Sequence, residues 1–271
     1  MAAGRLAAVF ARARGEGRPA FISYLIPGYP EPEGADALFD ALVAGGADIV
    51  EIEVPFSDPV ADGATIQAAV FVALEHGTTL HSCIDFVRRA RARHPDVPIV
   101  LMSYLNPVLA YGVDAFAADA AAAGVDGTIL VDLTAEESEA TRAVLRRNGI
   151  DLVYLVAPTS SEQRLRLITG LASGFVYCVS VAGTTGARER LDPGLVDFLA
   201  RVRRCTGLPL AVGFGISRRE HVEALTGVAD GVVVGSAIID RLRTAEPAGR
   251  AAALREFVET LTGRRELPAG G

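Results

Sequence analysis

The chain contains no lysine: all 26 of its basic residues are arginine. That excludes Schiff-base chemistry on the protein, whether with a carbonyl substrate directly or through pyridoxal phosphate. Histidine is scarce. His76, His81, His94 and His221 lie in or beside helix-like patterns and form no metal-ligand spacing, so neither a Ser/His/Asp triad nor a His-rich zinc site is supported. The three cysteines, Cys83, Cys178 and Cys205, show no pairing spacing; they fit a reducing compartment and read as packing residues. A basic surface is also missing. The formal net charge of −7 argues against a nucleic-acid partner. No stretch resembles a membrane span, and the N-terminal MAAGRLAAVFARARGEGR lacks the apolar core of a signal peptide, so it is expected to form an amphipathic first helix of a cytoplasmic protein. The chemistry left to this chain must use carboxylates, hydroxyls, backbone dipoles and arginine.

What is present is a repeating pattern. Short β-branched runs recur as FISYLI, ADIVEIEV, PIVLMSY, GTILVD, DLVYLVA, FVYCVSV, LPLAVGFG and GVVVGSA. Between them lie segments rich in Ala, Leu, Arg and Glu with apolar residues at i, i+3 and i+4. Several of these open on a hydroxyl residue and close on glycine, as Ser161 with Gly174 and Ser217 with Gly227. Eight near-continuously apolar strands, each followed by a helix, predict a closed parallel (β/α)8 TIM barrel. An open doubly wound sheet would carry fewer strands and a Gly-rich first turn, where this chain has PGYPEP. Half the residues are hydrophobic, enough for a large core. We expect one domain over residues 1–271, with the barrel from about 19 to 262 and a frayed tail. After the second strand come a loop, PFSDPVADG, and two helical pieces broken near His76–Thr79.

In such a barrel the active site is built at the C-terminal ends of the strands. Glu51 and Glu53 close the second strand two residues apart, so both point to the same side of the wall, at a Cα separation of roughly 6–7 Å. Asp58 and Asp62 follow in the loop over the mouth. Acids at a strand end are commonly just solvated, but a glutamate inside a buried run must be satisfied or used. A second constellation is glycine-rich: VSVAGTTGAR, VGFGIS and VVVGSAII follow the last three strands. Three small-residue loops at one corner suit a phosphate bound by backbone N–H groups and a helix start. Tyr24, Met102, Tyr104, Ile129 and Tyr177, at other strand ends, are core residues by default; as a ring at the mouth they would suit a flat apolar ring system. The residues thus describe a barrel enzyme that acts on a phosphorylated substrate by carboxylate acid/base chemistry, with no cofactor and no metal.

EIEVPFSDPVADGATIQ closely resembles the signature of the tryptophan synthase alpha chain family, E-[LI]-G-[VI]-P-[FY]-S-D-P-x-A-D-G-x-x-I-Q. FISYLIPGYP, LMSYLNPVLAYG, APTS, VSVAGTTGAR, GFGIS and VGSAII match in order and spacing, from Phe21 to Ile239. The resemblance implies a lyase that cleaves indole-3-glycerol phosphate to indole and glyceraldehyde 3-phosphate in tryptophan biosynthesis. It also implies a separate tryptophan synthase β chain as partner, in an α2β2-type assembly. Carried over by motif, Glu51 and Asp62 are the catalytic acid/base pair. Gly186, Gly213, Gly215, Gly235 and Ser236 would hold the phosphate, and Tyr24, Met102, Tyr104, Ile129 and Tyr177 would line the indole and glycerol pocket. Asp58 would order the loop, a candidate lid, or face the partner. Alternatives are a free-standing indole-3-glycerol phosphate lyase, a paralogue with an altered substrate, and a non-catalytic phosphate-binding subunit; the last has no need for the Glu51–Asp62 pair.

One departure stands out. Where the family has glycine, two residues after the catalytic glutamate, this chain has Glu53. Glu53 could turn to solvent, tune Glu51 through like charge, or mark a protein that has left the reaction. The first reading expects Glu53→Gly to preserve or raise indole release.

Overall fold

The computed structural model describes residues 4–179, 193–213 and 215–264. Eight short strands form in the apolar runs, none longer than six residues: β1 (Ala20–Leu25), β2 (Ile49–Glu53), β3 (Ile99–Ser103), β4 (Gly127–Leu130), β5 (Asp151–Val156), β6 (Val176–Val179), β7 (Leu210–Gly213) and β8 (Gly231–Val234). They pair in parallel in chain order, and β8 returns to β1, which closes the barrel. The helices are α1 (Arg5–Gly15), α2 (Ala35–Gly45), α3 (Ala64–Glu75), α4 (Leu80–Arg93), α5 (Leu105–Tyr111), α6 (Val113–Ala123), α7 (Glu139–Arg147), α8 (Glu162–Leu171), α9 (Pro193–Arg203), α10 (Arg219–Ala224), α11 (Ser236–Thr244) and α12 (Arg250–Thr262). No described helix is long and apolar enough to cross a membrane.

The period of two along each strand divides the apolar residues into two cores. Ala20, Ile22, Ile49, Val100, Ile129, Val153, Phe175, Ala211 and Val233 fill the barrel interior, while Val50, Ile52 and Val54 join the layer between strands and helices. Glu51 and Glu53 therefore share the inward side with Ile49. Ser161 caps α8 by accepting a hydrogen bond from the Arg164 N–H, as its position predicts. Ser217 does not cap: α10 begins only at Arg219, with Arg218 at the cap position. The tail beyond Arg264 lies outside the described residues.

The first helix plugs the floor. Leu6, Val9, Phe10 and Ala13 are its buried stripe and belong to the interior core, with the Phe10 and Phe175 rings 5.5 Å apart. Three of its arginines reach acids at strand starts: Arg5 to Asp126 at 2.9 Å, Arg12 to Asp48 at 3.1 Å and Arg14 to Asp230 at 2.9 Å. Each of those acids uses its other oxygen to accept a hydrogen bond from the first turn of the neighbouring strand. Asp48 takes the N–H of Phe21, Asp126 that of Ile99 and Asp230 that of Leu210. One carboxylate thus satisfies a backbone donor and a guanidinium together.

Candidate active site

At the opposite end, the strand termini enclose a cavity of about 320 Å³ lined by Tyr24, Glu51, Asp62, Met102, Tyr177, Gly213, Gly215, Gly235 and Ser236, among others. Acid pair, aromatic wall and glycine corner, far apart in the chain, meet in this one space.

Glu51 is inward-facing on β2 and 1% exposed. Burial, and then the charge of Asp62, push its carboxyl up to about 8, because a low-dielectric site disfavours the anion. Asp62 sits in the loop between β2 and α3. Burial raises it too, but the Tyr104 hydroxyl donates to its Oδ2 at 2.9 Å and draws it back down. Their surroundings thus differ: burial favours the neutral form of Glu51, at about 8, whereas the Tyr104 hydrogen bond favours the anion of Asp62.

Tyr104 is not a wall of the cavity. Its side chain is 1% exposed, and its hydroxyl both donates to Asp62 and accepts from the Ala61 N–H at 2.9 Å, so it anchors the acid from behind. Ile129 also stands back, in the interior core with no exposure. Asp58 is exposed, with its Oδ2 accepting from the Ser57 hydroxyl, and it is not part of the cavity lining. Sequence reasoning missed two contributors. Gln67 clamps the loop, donating through Nε2 to the carbonyls of Pro59 and Asp62. Gly63, Ala64, Thr65 and Ile66, the uncapped start of α3, complete the lining; their signals were a glycine directly before a helical period and the fixed Gly63 and Ile66 of the quoted signature.

The glycine corner is shaped for close approach. A Cβ at Gly213 would lie 2.8 Å from the Tyr177 hydroxyl, so any side chain there would displace the aromatic wall. Gly215 has φ +58°, a conformation glycine adopts without strain. Gly235 and Ser236 open α11, whose first N–H groups have no side-chain cap, the arrangement that receives an anion. Gly186 lies outside the described residues.

Glu53 is not turned to solvent. It is 1% exposed, and neither carboxyl oxygen has a hydrogen-bond partner. Alternation on a closed barrel leaves it no outward route, since Ile52 and Val54 occupy that side. A larger cleft of about 550 Å³ lies at the floor, but its Arg14, Arg18 and Arg203 are engaged with acids. Among the described residues no group of three or more His, Cys, Asp or Glu is arranged to hold a metal ion.

Comparison with known proteins agrees with this geometry. The family profile described as tryptophan synthase alpha chain matches residues 10–265. The tryptophan synthase alpha chain of Roseiflexus castenholzii is 49% identical over 259 residues, covering 96% of this chain and 99% of the relative; that of Halorhodospira halophila is 50% identical, covering 87% and 86%. Among solved structures, tryptophan synthase subunit alpha from Legionella pneumophila superposes with a TM-score of 0.89 at 35% identity, covering 97% of this chain and 98% of that one. A chain of Mycobacterium tuberculosis tryptophan synthase gives 0.88 at 38% identity, covering 96% and 98%. By sequence and by fold, then, this chain belongs to the tryptophan synthase alpha chain family.

Proposed function

We propose that Glu51 and Asp62 carry, in this chain, the lyase reaction of its family: cleavage of indole-3-glycerol phosphate to indole and glyceraldehyde 3-phosphate. The observation that supports it most is that a buried Glu51 and an Asp62 held by the Tyr104 hydroxyl line one cavity. An indol-3-yl carbanion is a poor leaving group, so ring carbon C3 must be protonated before its bond to the side chain breaks, which lets neutral indole leave. Glu51 gives that proton. The positive charge that develops at the ring nitrogen is balanced by the Asp62 carboxylate, which accepts the ring N–H. As the carbon–carbon bond opens, its electrons return to the ring, and the Glu51 carboxylate takes the proton of the side-chain hydroxyl that becomes the aldehyde. Glu51 ends protonated, as it began. The phosphate would rest on Gly213, Gly215, Gly235 and Ser236, and the ring between Tyr24, Met102 and Tyr177.

A tryptophan synthase β chain is the partner this reading implies. Support comes from the family and from apolar side chains exposed around the mouth, Val60 at 84% and Leu109 at 55%, in elements that follow β2 and β3. The test is indole release from indole-3-glycerol phosphate by the purified chain, alone and with a β chain added. Slow release that rises with the β chain is expected, and fast unaided release would identify a free-standing lyase. Glu51→Gln and Asp62→Asn should each lower release about 10²–10⁴-fold. Wild-type activity in either variant would remove the pair from the mechanism.

A further inference from the structure

Glu53 is a buried acid beside the catalytic pair that this mechanism leaves idle. It closes β2 on the inward side, where its charge would be felt by Tyr24 of β1, Tyr104 after β3, Tyr177 of β6 and Cys83 of α4, and where it would feel Glu51 of β2 and Asp62 of the loop. None of these is a cation. Nothing in the barrel requires a carboxyl here, since the family motif has glycine. Glu53 is also absent from the cavity lining, whereas Glu51 and Tyr24 are part of it, so Glu53 acts through them. Four buried polar atoms in this cluster lack a partner: the Tyr24 hydroxyl, both Glu53 oxygens and Glu51 Oε2. Unpaired buried polar atoms are costly, and these four are chemically matched. The Tyr24 O–H can donate to one Glu53 oxygen, the other carries a proton, and that O–H can donate to Glu51 Oε2. Glu51 and Glu53 stand two residues apart on one face, within reach of two flexible side chains.

We infer that Glu53 is a positioning residue, a neutral carboxylic acid held by Tyr24, which donates a hydrogen bond to the carboxylate formed on Glu51 once Glu51 has protonated the substrate. The inference rests on Glu51 being the general acid. No proton changes owner between the two glutamates. Glu53 keeps its own, and the Glu51 anion, formed beside the Asp62 anion with no arginine among the described residues that line the cavity, gains a donor when it needs one. Burial and the charges of Asp62 and Glu51 raise Glu53 well above the usual carboxylate range, and the Tyr24 hydroxyl draws it only part of the way back.

The test compares wild type, Glu53→Gln, which keeps a donor, and Glu53→Met, which keeps the length and loses it. Infrared titration of the protonated-carboxyl band reads Glu51 with or without turnover. In wild type and Glu53→Gln the Glu51 band should vanish near pH 8. In Glu53→Met it should persist to about one pH unit higher, because the anion has lost its donor. Indole release should fall about 10–100-fold in Glu53→Met at unchanged KM and be largely retained in Glu53→Gln. A Glu51 band that does not move would overturn the inference, and one that moves down would show that Glu53 was charged. If Glu53→Met does not fold, Glu53→Gly, the residue of the motif, carries the same expectation. No indole from wild type, with the band shifted as described, would instead overturn the proposed reaction and leave the Glu53–Glu51 contact standing.

Discussion

A carboxyl buried without a partner is a burden on the folded chain, and its weight depends on pH. For Glu53 and Glu51 the folded state holds the proton more tightly than the unfolded chain does. Stability from such a group is fully present below the unfolded value of about 4.3 and is lost as pH rises toward the folded one. Glutamine at position 53 fills the same space and never ionises. Glu53→Gln should therefore match wild type in urea unfolding at about pH 4 and become the more stable protein as pH rises to 8, the gain growing with pH. Equal midpoints at both pH values would mean that Glu53 is charged and satisfied in the folded state. The residue was visible in the sequence as a departure from the motif. The side it shares with Glu51 was legible too, from the alternation along β2; its burial there was not, because that depends on which distant residues close over the strand end.

At the scale of elements, the acids at the strand starts hold the floor. Asp48 is nearly fully buried, and burial opposes its charge, but hydrogen bonds from Arg18 and the Phe21 N–H outweigh that and hold it below the usual carboxylate range. A group depressed in this way gives stability that is present above its unfolded value of about 3.9 and lost as pH falls through the folded one. Asp48→Ala should cost roughly 2–3 kcal/mol at pH 7, the low end applying because its arginines are partly exposed. The difference from wild type should shrink as unfolding is repeated at pH 3 and below, and a difference constant with pH would show that the loss is one of packing. The strands themselves were legible, since β-branched runs and glycine stops are local signals. These clasps were not. Arg12 and Asp48 are 36 residues apart, Arg5 and Asp126 are 121, Arg14 and Asp230 are 216, and the Tyr104 anchor of Asp62 spans 42. Only the closed barrel brings such residues into register. For the same reason Tyr104, placed by its strand-end position on the cavity wall, proves to stand one step behind it.

For the whole molecule, the two ends of the barrel respond to pH in opposite senses. The floor gains strength as Asp48 and Asp230, both held below the usual range, ionise on leaving acid conditions. In the proposed mechanism the mouth loses its reaction as Glu51 ionises. Indole release should therefore decline above about pH 8 while the fold persists, a separation that parallel activity and circular dichroism profiles would register; activity sustained to pH 10 would dissociate the decline from Glu51. The floor has a last consequence. Because Leu6, Val9 and Phe10 stopper the barrel from below, the described residues leave the mouth as the open side of the cavity. In the proposed reaction substrate enters and product leaves on that side, so a product still seated there obstructs the next molecule of substrate. Any protein that receives indole directly must therefore sit across the opening.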